Sequence, residues 1–147
     1  MTATSEPRLD GRWDAIALRA GAGVCVVFAV PFQVLAALVG ADSGFSLPLR
    51  LGALVGFLLG AGVAAWVQQR QFPLAHGLVT AIGSFAVVQI GFIVARAIVG
   101  NDLRLGAALF NLTPVVGVGL AGGYLGMALQ RRGLQPSFLR QQTGTDT

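Results

Sequence analysis

The chain alternates between long apolar runs and short polar breaks. A helix needs about 20 apolar residues to cross the roughly 30 Å hydrocarbon core of a bilayer. The runs are too long for strands, and they lack the alternation that strands of a membrane barrel require. The pattern predicts an all-α, polytopic membrane protein whose bundle spans residues 20–129. Its four expected transmembrane helices are 20–40, 51–67, 77–99 and 105–129.

The breaks between these runs are short, so neighbouring helices are expected to be antiparallel and both termini to lie on one side. All ten basic residues are arginine, and seven of them fall on the side of the termini. Since basic residues concentrate on the cytoplasmic side, both termini are predicted to be cytoplasmic. The absence of lysine and the 21 glycines are typical of a GC-rich bacterial genome. The expected location is therefore the bacterial inner membrane.

Polar segments flank the bundle at both ends. Residues 1–19 are expected to form a cytoplasmic segment, in which Leu9, Trp13 and Ile16 share one face of a helix that lies on the inner leaflet. Residues 130–147 are expected to form a disordered cytoplasmic tail. Neither segment carries a pattern that predicts a separate folded domain.

Composition agrees with the membrane interpretation. Apolar residues make up 54% of the chain and charged residues 11%, whereas soluble domains carry about 25% charge. The net charge of +4 comes from arginines at the ends of apolar runs, so no nucleic-acid partner is predicted. One cysteine, Cys25, and one histidine, His76, provide neither a disulfide nor a metal site. His76 is expected at the inner membrane interface.

A short sequence occurs twice. Residues 49–53 and 103–107 both read LRLGA, and QQRQFP at 68–73 resembles QRRGLQP at 130–136. These matches predict two parallel-repeated helical hairpins, related by a pseudo-twofold axis along the membrane normal. Chance matches in a chain rich in Leu, Gly and Ala are the alternative.

Glycines recur at helical spacing on the second and fourth runs. Between lipid-embedded helices, small residues allow close backbone contact. We expect these helices to form the crowded centre of the bundle, and an oligomer contact is the alternative. The candidate packing residues are Gly52, Gly56, Gly60, Gly119, Gly122, Gly123 and Gly126.

Several polar residues lie inside the predicted spans, where their cost makes them candidates for function. Four of them fall in the outer half and predict a polar pocket that opens outward: Gln33, Gln89, Asn111 and Thr113. Arg96, the fifth candidate pocket residue, lies near the outer end of the third span. It is either a counter-charge for an anion or a side chain that snorkels to the interface. Hydrogen bonding between helices is the alternative for the uncharged residues.

No catalytic motif is present, and no acidic residue lies deep in any run. The leading hypothesis is therefore a non-enzymatic structural or accessory protein that acts through helix contacts with itself or with another membrane protein. The alternative is a small channel or carrier for an anion or a neutral solute, using the polar pocket. Neither hypothesis requires a cofactor, and the only other expected partner is the lipid bilayer.

Overall fold

The computed structural model describes residues 13–40, 42–69, 71–100 and 105–134, and this part of the chain folds into four α-helices. All four are long and apolar enough to cross a membrane. The predicted all-helical, multi-pass membrane class is therefore confirmed. The helices are α1 (Ala15–Val39), α2 (Ser46–Val67), α3 (Pro73–Val99) and α4 (Leu105–Arg131).

The first three helices begin four or five residues before the predicted apolar runs. The first turn of a helix accepts polar residues and proline, because its N–H groups have no partner within the helix. The Asp14 carboxylate accepts hydrogen bonds from the N–H groups of Ile16 and Ala17 and so caps α1. Pro73 occupies the first turn of α3. Apolarity alone therefore underestimates where these helices start.

The two flanking segments lie mostly outside the described residues. Residues 15–19, assigned from sequence to the cytoplasmic segment, form the first turns of α1. Residues 1–12 of the expected interfacial helix and residues 135–147 of the expected tail lie outside the described residues.

The bundle has two ends, which we name by the helix termini that meet there. At the upper end α1 and α3 finish, at Val39 and Val99, and α2 and α4 begin. At the lower end α1 and α3 begin, and α2 and α4 finish. Gly40 and Gly100 follow the two helices that finish at the upper end, with φ angles of 86° and 75° that glycine adopts without strain.

The helices form a ring in which α2 packs against all three others. Neighbours around the ring are α1, α2, α4 and α3, with an additional contact between α2 and α3. Within the described residues α1 and α4 make no contact. A twofold axis that exchanged the hairpins would turn the α2–α3 contact into an α1–α4 contact. The two hairpins therefore lie side by side in a pattern that such an axis does not produce.

The glycine row of α2 faces α1. A methyl group built on Gly56 would lie 2.6 Å from the backbone nitrogen of Ala29, and one on Gly52 would lie 2.7 Å from the ring of Phe32. At Gly60 it would overlap Cys25. Gly56 and Gly60 let the α1 and α2 backbones touch, and Gly52 leaves room for the Phe32 ring. All three therefore serve the first hairpin rather than a contact between α2 and α4.

The glycines of α4 face two neighbours. Gly122 and Gly126 lie against the backbone of α2 near Gly62. A methyl group on Gly119 would lie 2.9 Å from Ala81 Cβ of α3, and Gly123 is within contact distance of Leu74. The lower half of the bundle is therefore closely packed, with α2 and α4 in direct contact.

Large apolar side chains cover the outside of the bundle. Val87 is 70% exposed and Ile98 is 81% exposed. A surface of this kind is unfavourable in water but suits lipid. The exterior therefore agrees with the membrane class.

Candidate functional site

A cavity of about 430 Å³ lies between the helices in the upper half of the bundle. All four helices contribute to its wall. The polar residues that line it are Gln33 of α1, Arg50 of α2, Gln89 and Arg96 of α3, and Asn111 of α4. Four of the five residues predicted to form a polar pocket are thus brought together.

The predicted member that does not line the cavity is Thr113. It is exposed and sits two residues after Asn111. Two residues of an α-helix are separated by about 200° around the axis, so Asn111 and Thr113 point to nearly opposite sides of α4. Pro114 and Val115 lie on the Asn111 side and line the wall instead.

Arg50 lines the cavity but is not among the pocket residues that the sequence predicts. The apolar pattern places it at the outer rim, in the break before the second run, whereas α2 begins at Ser46 and includes it. The available signal was its place in the repeated LRLGA sequence directly before the glycine row. Its guanidinium adds a second positive charge to that of Arg96.

The cavity is layered along the bundle axis. On α3, Arg96 lies nearest the upper end, Gln89 is seven residues lower and Phe85 four residues lower again. At 1.5 Å per residue these steps are about 10 Å and about 6 Å. The order along this wall is therefore a charged mouth, an amide layer and an apolar base.

The base of the cavity is aromatic and closed. The rings of Phe57 and Phe85 meet edge to face, with centroids 6.0 Å apart and an interplanar angle of 70°. Both are buried, and Val115 beside them is buried as well. The close contacts of the α4 glycines with α2 and α3, from Gly119 to Gly126, lie below this layer. The cavity thus ends within the bundle, above the closely packed lower half.

The position of the cavity agrees with the sizes of the side chains on α2. In the lower half, α2 meets its neighbours through glycine and alanine, which permit backbone contact. In the upper half, the cavity side of α2 carries Leu47, Leu51 and Leu54. Side chains of this size do not permit backbone contact on that side of the helix, and the cavity lies there.

The cavity is electropositive. Among the described residues, two guanidinium groups line it and no carboxylate does, and no described carboxylate pairs with Arg50 or Arg96. Guanidinium groups bind carboxylate and phosphate through paired hydrogen bonds. The amides of Gln33, Gln89 and Asn111 can both donate and accept. The site can therefore bind an anion and a polar group beneath it.

A second polar cluster lies at the lower end and serves a different purpose. His76 is fully buried; its Nε2 accepts from the Asp14 N–H at 2.9 Å, and its Nδ1–H donates to the Phe72 carbonyl at 2.8 Å. The Asp14 carboxylate also accepts from the Gln69 N–H at 3.1 Å, and Trp13 meets the imidazole edge to face. Both ring nitrogens are occupied, so His76 fastens α1 to α3 rather than facing the membrane surface.

Gln130 performs a similar task at the end of α2. Its side-chain amide donates to the carbonyls of Trp66 at 3.0 Å and Gln68 at 2.7 Å. The Trp66 indole N–H in turn donates to the Leu134 carbonyl. These bonds satisfy carbonyl groups that the end of α2 leaves without helical partners.

Comparison of the chain with protein-family models, with curated proteins and with solved structures gives no match. The cavity itself is therefore the feature that bears on function.

Proposed function

We propose that this chain is a small, non-enzymatic membrane protein that binds an anionic solute in its upper cavity, as a carrier would. The observation that carries the proposal is that two arginines, Arg50 and Arg96, and three amide side chains line one cavity that is open on one side. Buried or membrane-embedded polar groups are costly, and five of them around one cavity are more than helix packing needs. The closed base argues against a continuously open pore.

Binding is proposed instead of catalysis because of the chemistry of the wall. Among the described residues it offers guanidinium groups, carboxamides and apolar side chains. Neither a guanidinium nor a carboxamide transfers a proton readily near neutral pH. The same residues are well suited to hydrogen bonding and charge neutralisation.

We further propose that the protein lies in the bacterial inner membrane with both termini in the cytoplasm. The excess of arginine near the lower end and the termini supports this orientation. The upper end is then the outer one, and the cavity opens away from the cytoplasm.

The two hairpins are proposed to be parallel copies of one unit, set side by side. In the first hairpin, a methyl group on Gly60 would lie 2.7 Å from the Gly21 carbonyl oxygen. In the second, one on Gly77 would lie 2.7 Å from Gly123 Cα. Gly77 follows Gly21 by 56 residues, and Gly123 follows Gly60 by 63 residues. The second offset is the larger, and α4, with 27 residues, is longer than α2, with 22. Equivalent small residues thus close both hairpins, which supports duplication.

The test of the proposal is stabilisation of the purified protein by anions. A ligand that binds only the folded state raises its resistance to unfolding in proportion to the logarithm of ligand concentration. We expect chloride, phosphate, acetate or benzoate to stabilise the wild type, and the double variant Arg50→Gln, Arg96→Gln to lose the effect. The matched control is Arg131→Gln with Arg132→Gln at the lower end. If no anion stabilises the wild type, or if the control loses the effect equally, the proposal is wrong.

A structural or accessory role is the second candidate, and one observation favours it. Thr113, Gly117 and Ala121 form an exposed row of small residues, four apart on α4, and a methyl group on Gly117 would meet nothing within 4 Å. Such rows allow helices of two chains to approach closely. Gly117→Leu should then reduce cross-linked oligomers in native membranes, while Val87→Leu on the exposed face of α3 should not. Equal cross-linking in both variants would exclude this contact.

A further inference from the structure

The order of chemical groups in the cavity carries information about the shape of the ligand. Arginines occupy the mouth, three amides the middle, and Phe57, Phe85 and Val115 the base. We propose that the ligand is an amphipathic organic anion: a carboxylate or phosphate head, a hydrogen-bonding amide or ester in the middle, and an apolar end. This inference rests on the proposed anion-binding function and narrows it to one chemical class.

Size excludes a simple inorganic ion as the intended occupant. The cavity holds about 430 Å³, within the range of about 300–1,000 Å³ found for pockets of drug-sized organic ligands. A single chloride or phosphate bound at the mouth would leave the amide layer and the aromatic base to water. An organic body is needed to fill the volume down to Phe57 and Phe85.

The aromatic base identifies the far end of the ligand as apolar. Phe57 and Phe85 face the cavity at its deepest point, and neither ring offers a hydrogen bond. An apolar ligand end displaces water from these rings, which is favourable, whereas a charged end placed there would lose its hydration without compensation. The charged end of the ligand is therefore directed to Arg50 and Arg96.

The amide layer specifies the middle of the ligand. Gln33, Gln89 and Asn111 come from three different helices and meet one space. A ligand with a plain hydrocarbon body would displace the water that these amides bind and would form no hydrogen bonds to replace it. An amide or ester in the ligand replaces those hydrogen bonds. N-acylated amino acids have this order of groups, and so do anionic phospholipids of the surrounding leaflet.

The experiment uses the full chain in phosphatidylcholine nanodiscs and isothermal titration calorimetry, with empty nanodiscs subtracted. The main probe is hippurate, which carries a carboxylate, an amide and a phenyl ring in this order. Two probes each lack one feature: hippuramide lacks the charge, and 4-phenylbutyrate lacks the amide. A third probe, acetate, lacks both the amide and the ring. Inorganic phosphate tests binding of a bare anion.

Hippurate should bind about tenfold tighter than hippuramide, acetate or phosphate, and about fivefold tighter than 4-phenylbutyrate. Arg96→Gln should weaken hippurate binding about tenfold, whereas Arg19→Gln, exposed near the lower end, should not. Gln89→Leu should remove the preference for hippurate over 4-phenylbutyrate. That last result separates a specific contact in the amide layer from general loss of folding.

The outcomes separate this inference from the function on which it rests. If phosphate and acetate bind as tightly as hippurate, anion binding stands and the amphipathic ligand is wrong. If no anion binds, both are wrong. Nanodiscs that contain phosphatidylglycerol show whether the ligand comes from the bilayer or from solution. Loss of hippurate binding in these nanodiscs assigns the site to a lipid, and unchanged binding assigns it to a soluble anion.

Discussion

The contact between α1 and α2 at Gly56 gives the sharpest quantitative prediction about the fold. A methyl group there would lie 2.6 Å from the Ala29 nitrogen, 2.8 Å from its Cα and 2.9 Å from its Cβ. Ordinary contacts lie between 3.4 and 4 Å. Because the nearest atoms belong to the backbone, Gly56→Ala requires the two backbones to separate. The shift is 0.4 Å to reach the shortest contacts that occur, at 3.0 Å, and 0.8 Å to reach an ordinary contact at 3.4 Å.

A shift of this size weakens many contacts at once. A gap of about 0.5–1 Å removes roughly a quarter to a half of each van der Waals attraction along the contact. Insertion of a methylene into a well-packed region costs about 1–3 kcal/mol. Alanine also stabilises a helix relative to glycine by up to about 1 kcal/mol. In a single variant this gain partly masks the cost of the overlap.

A matched variant removes that complication. A methyl group on Gly83, in the middle of α3, would meet nothing within 4 Å, so Gly83→Ala has the same helix propensity effect without the overlap. We expect Gly56→Ala to be less stable than Gly83→Ala by about 1–3 kcal/mol. The assay is unfolding of the purified protein with increasing sodium dodecyl sulfate, followed by circular dichroism. Equal midpoints for the two variants would refute the packing of α1 on α2.

Three further predictions use the same unfolding assay. His76→Ala leaves the partly buried Asp14 N–H without its acceptor and should destabilise the protein by about 1–3 kcal/mol. Gln130→Ala removes two hydrogen bonds to the end of α2 and should destabilise it by about 1–2 kcal/mol. Thr80 is buried with a hydroxyl that has no partner, so Thr80→Val should leave stability unchanged or raise it by up to about 1 kcal/mol. The exposed Gln71→Ala is the control; a loss for Thr80→Val, or none for His76→Ala, would contradict these assignments.

The membrane class was predictable from sequence because lipid imposes a simple length and polarity rule on each helix. The positions where the helices begin were not predictable, since the rule detects apolar runs and ignores first turns that are capped or contain proline. Arg50 is absent from the predicted pocket for this reason. It lies in the first turns of α2, in a stretch whose polarity is typical of a loop.

Helix neighbours were only partly predictable. The spacing of Gly52, Gly56 and Gly60 shows that they share a face of α2, and geometry alone gives that. Which helix meets this face depends on the order of helices around the bundle, and the local sequence does not encode it. The row was expected near α4 and instead contacts α1.

The polar pocket was predicted from the depth of each residue below the outer end of its helix. That depth was sufficient to identify four cavity residues: Gln33, Gln89, Arg96 and Asn111. It failed for Thr113 because residues at similar depth also need the same direction around the helix axis. The aromatic base could not be predicted, since phenylalanines are common in every span and nothing local distinguishes Phe57 or Phe85 from those that face lipid.

Site-directed thiol labelling tests most directly whether the cavity is filled with water and opens on the outer surface. The chain has one cysteine, Cys25, which is buried, so Cys25→Ala provides a background without cysteine. Gln89→Cys lies in the cavity wall, and Val87→Cys lies at nearly the same depth at a residue that is 70% exposed on the lipid side.

A membrane-impermeant maleimide is then added to intact cells. Maleimides react with the thiolate, which forms in water and not in hydrocarbon. We predict that Gln89→Cys is labelled from outside and Val87→Cys is not. Labelling of both or of neither, or labelling of Gln89→Cys only after the cells are opened, would contradict the outward, water-filled cavity.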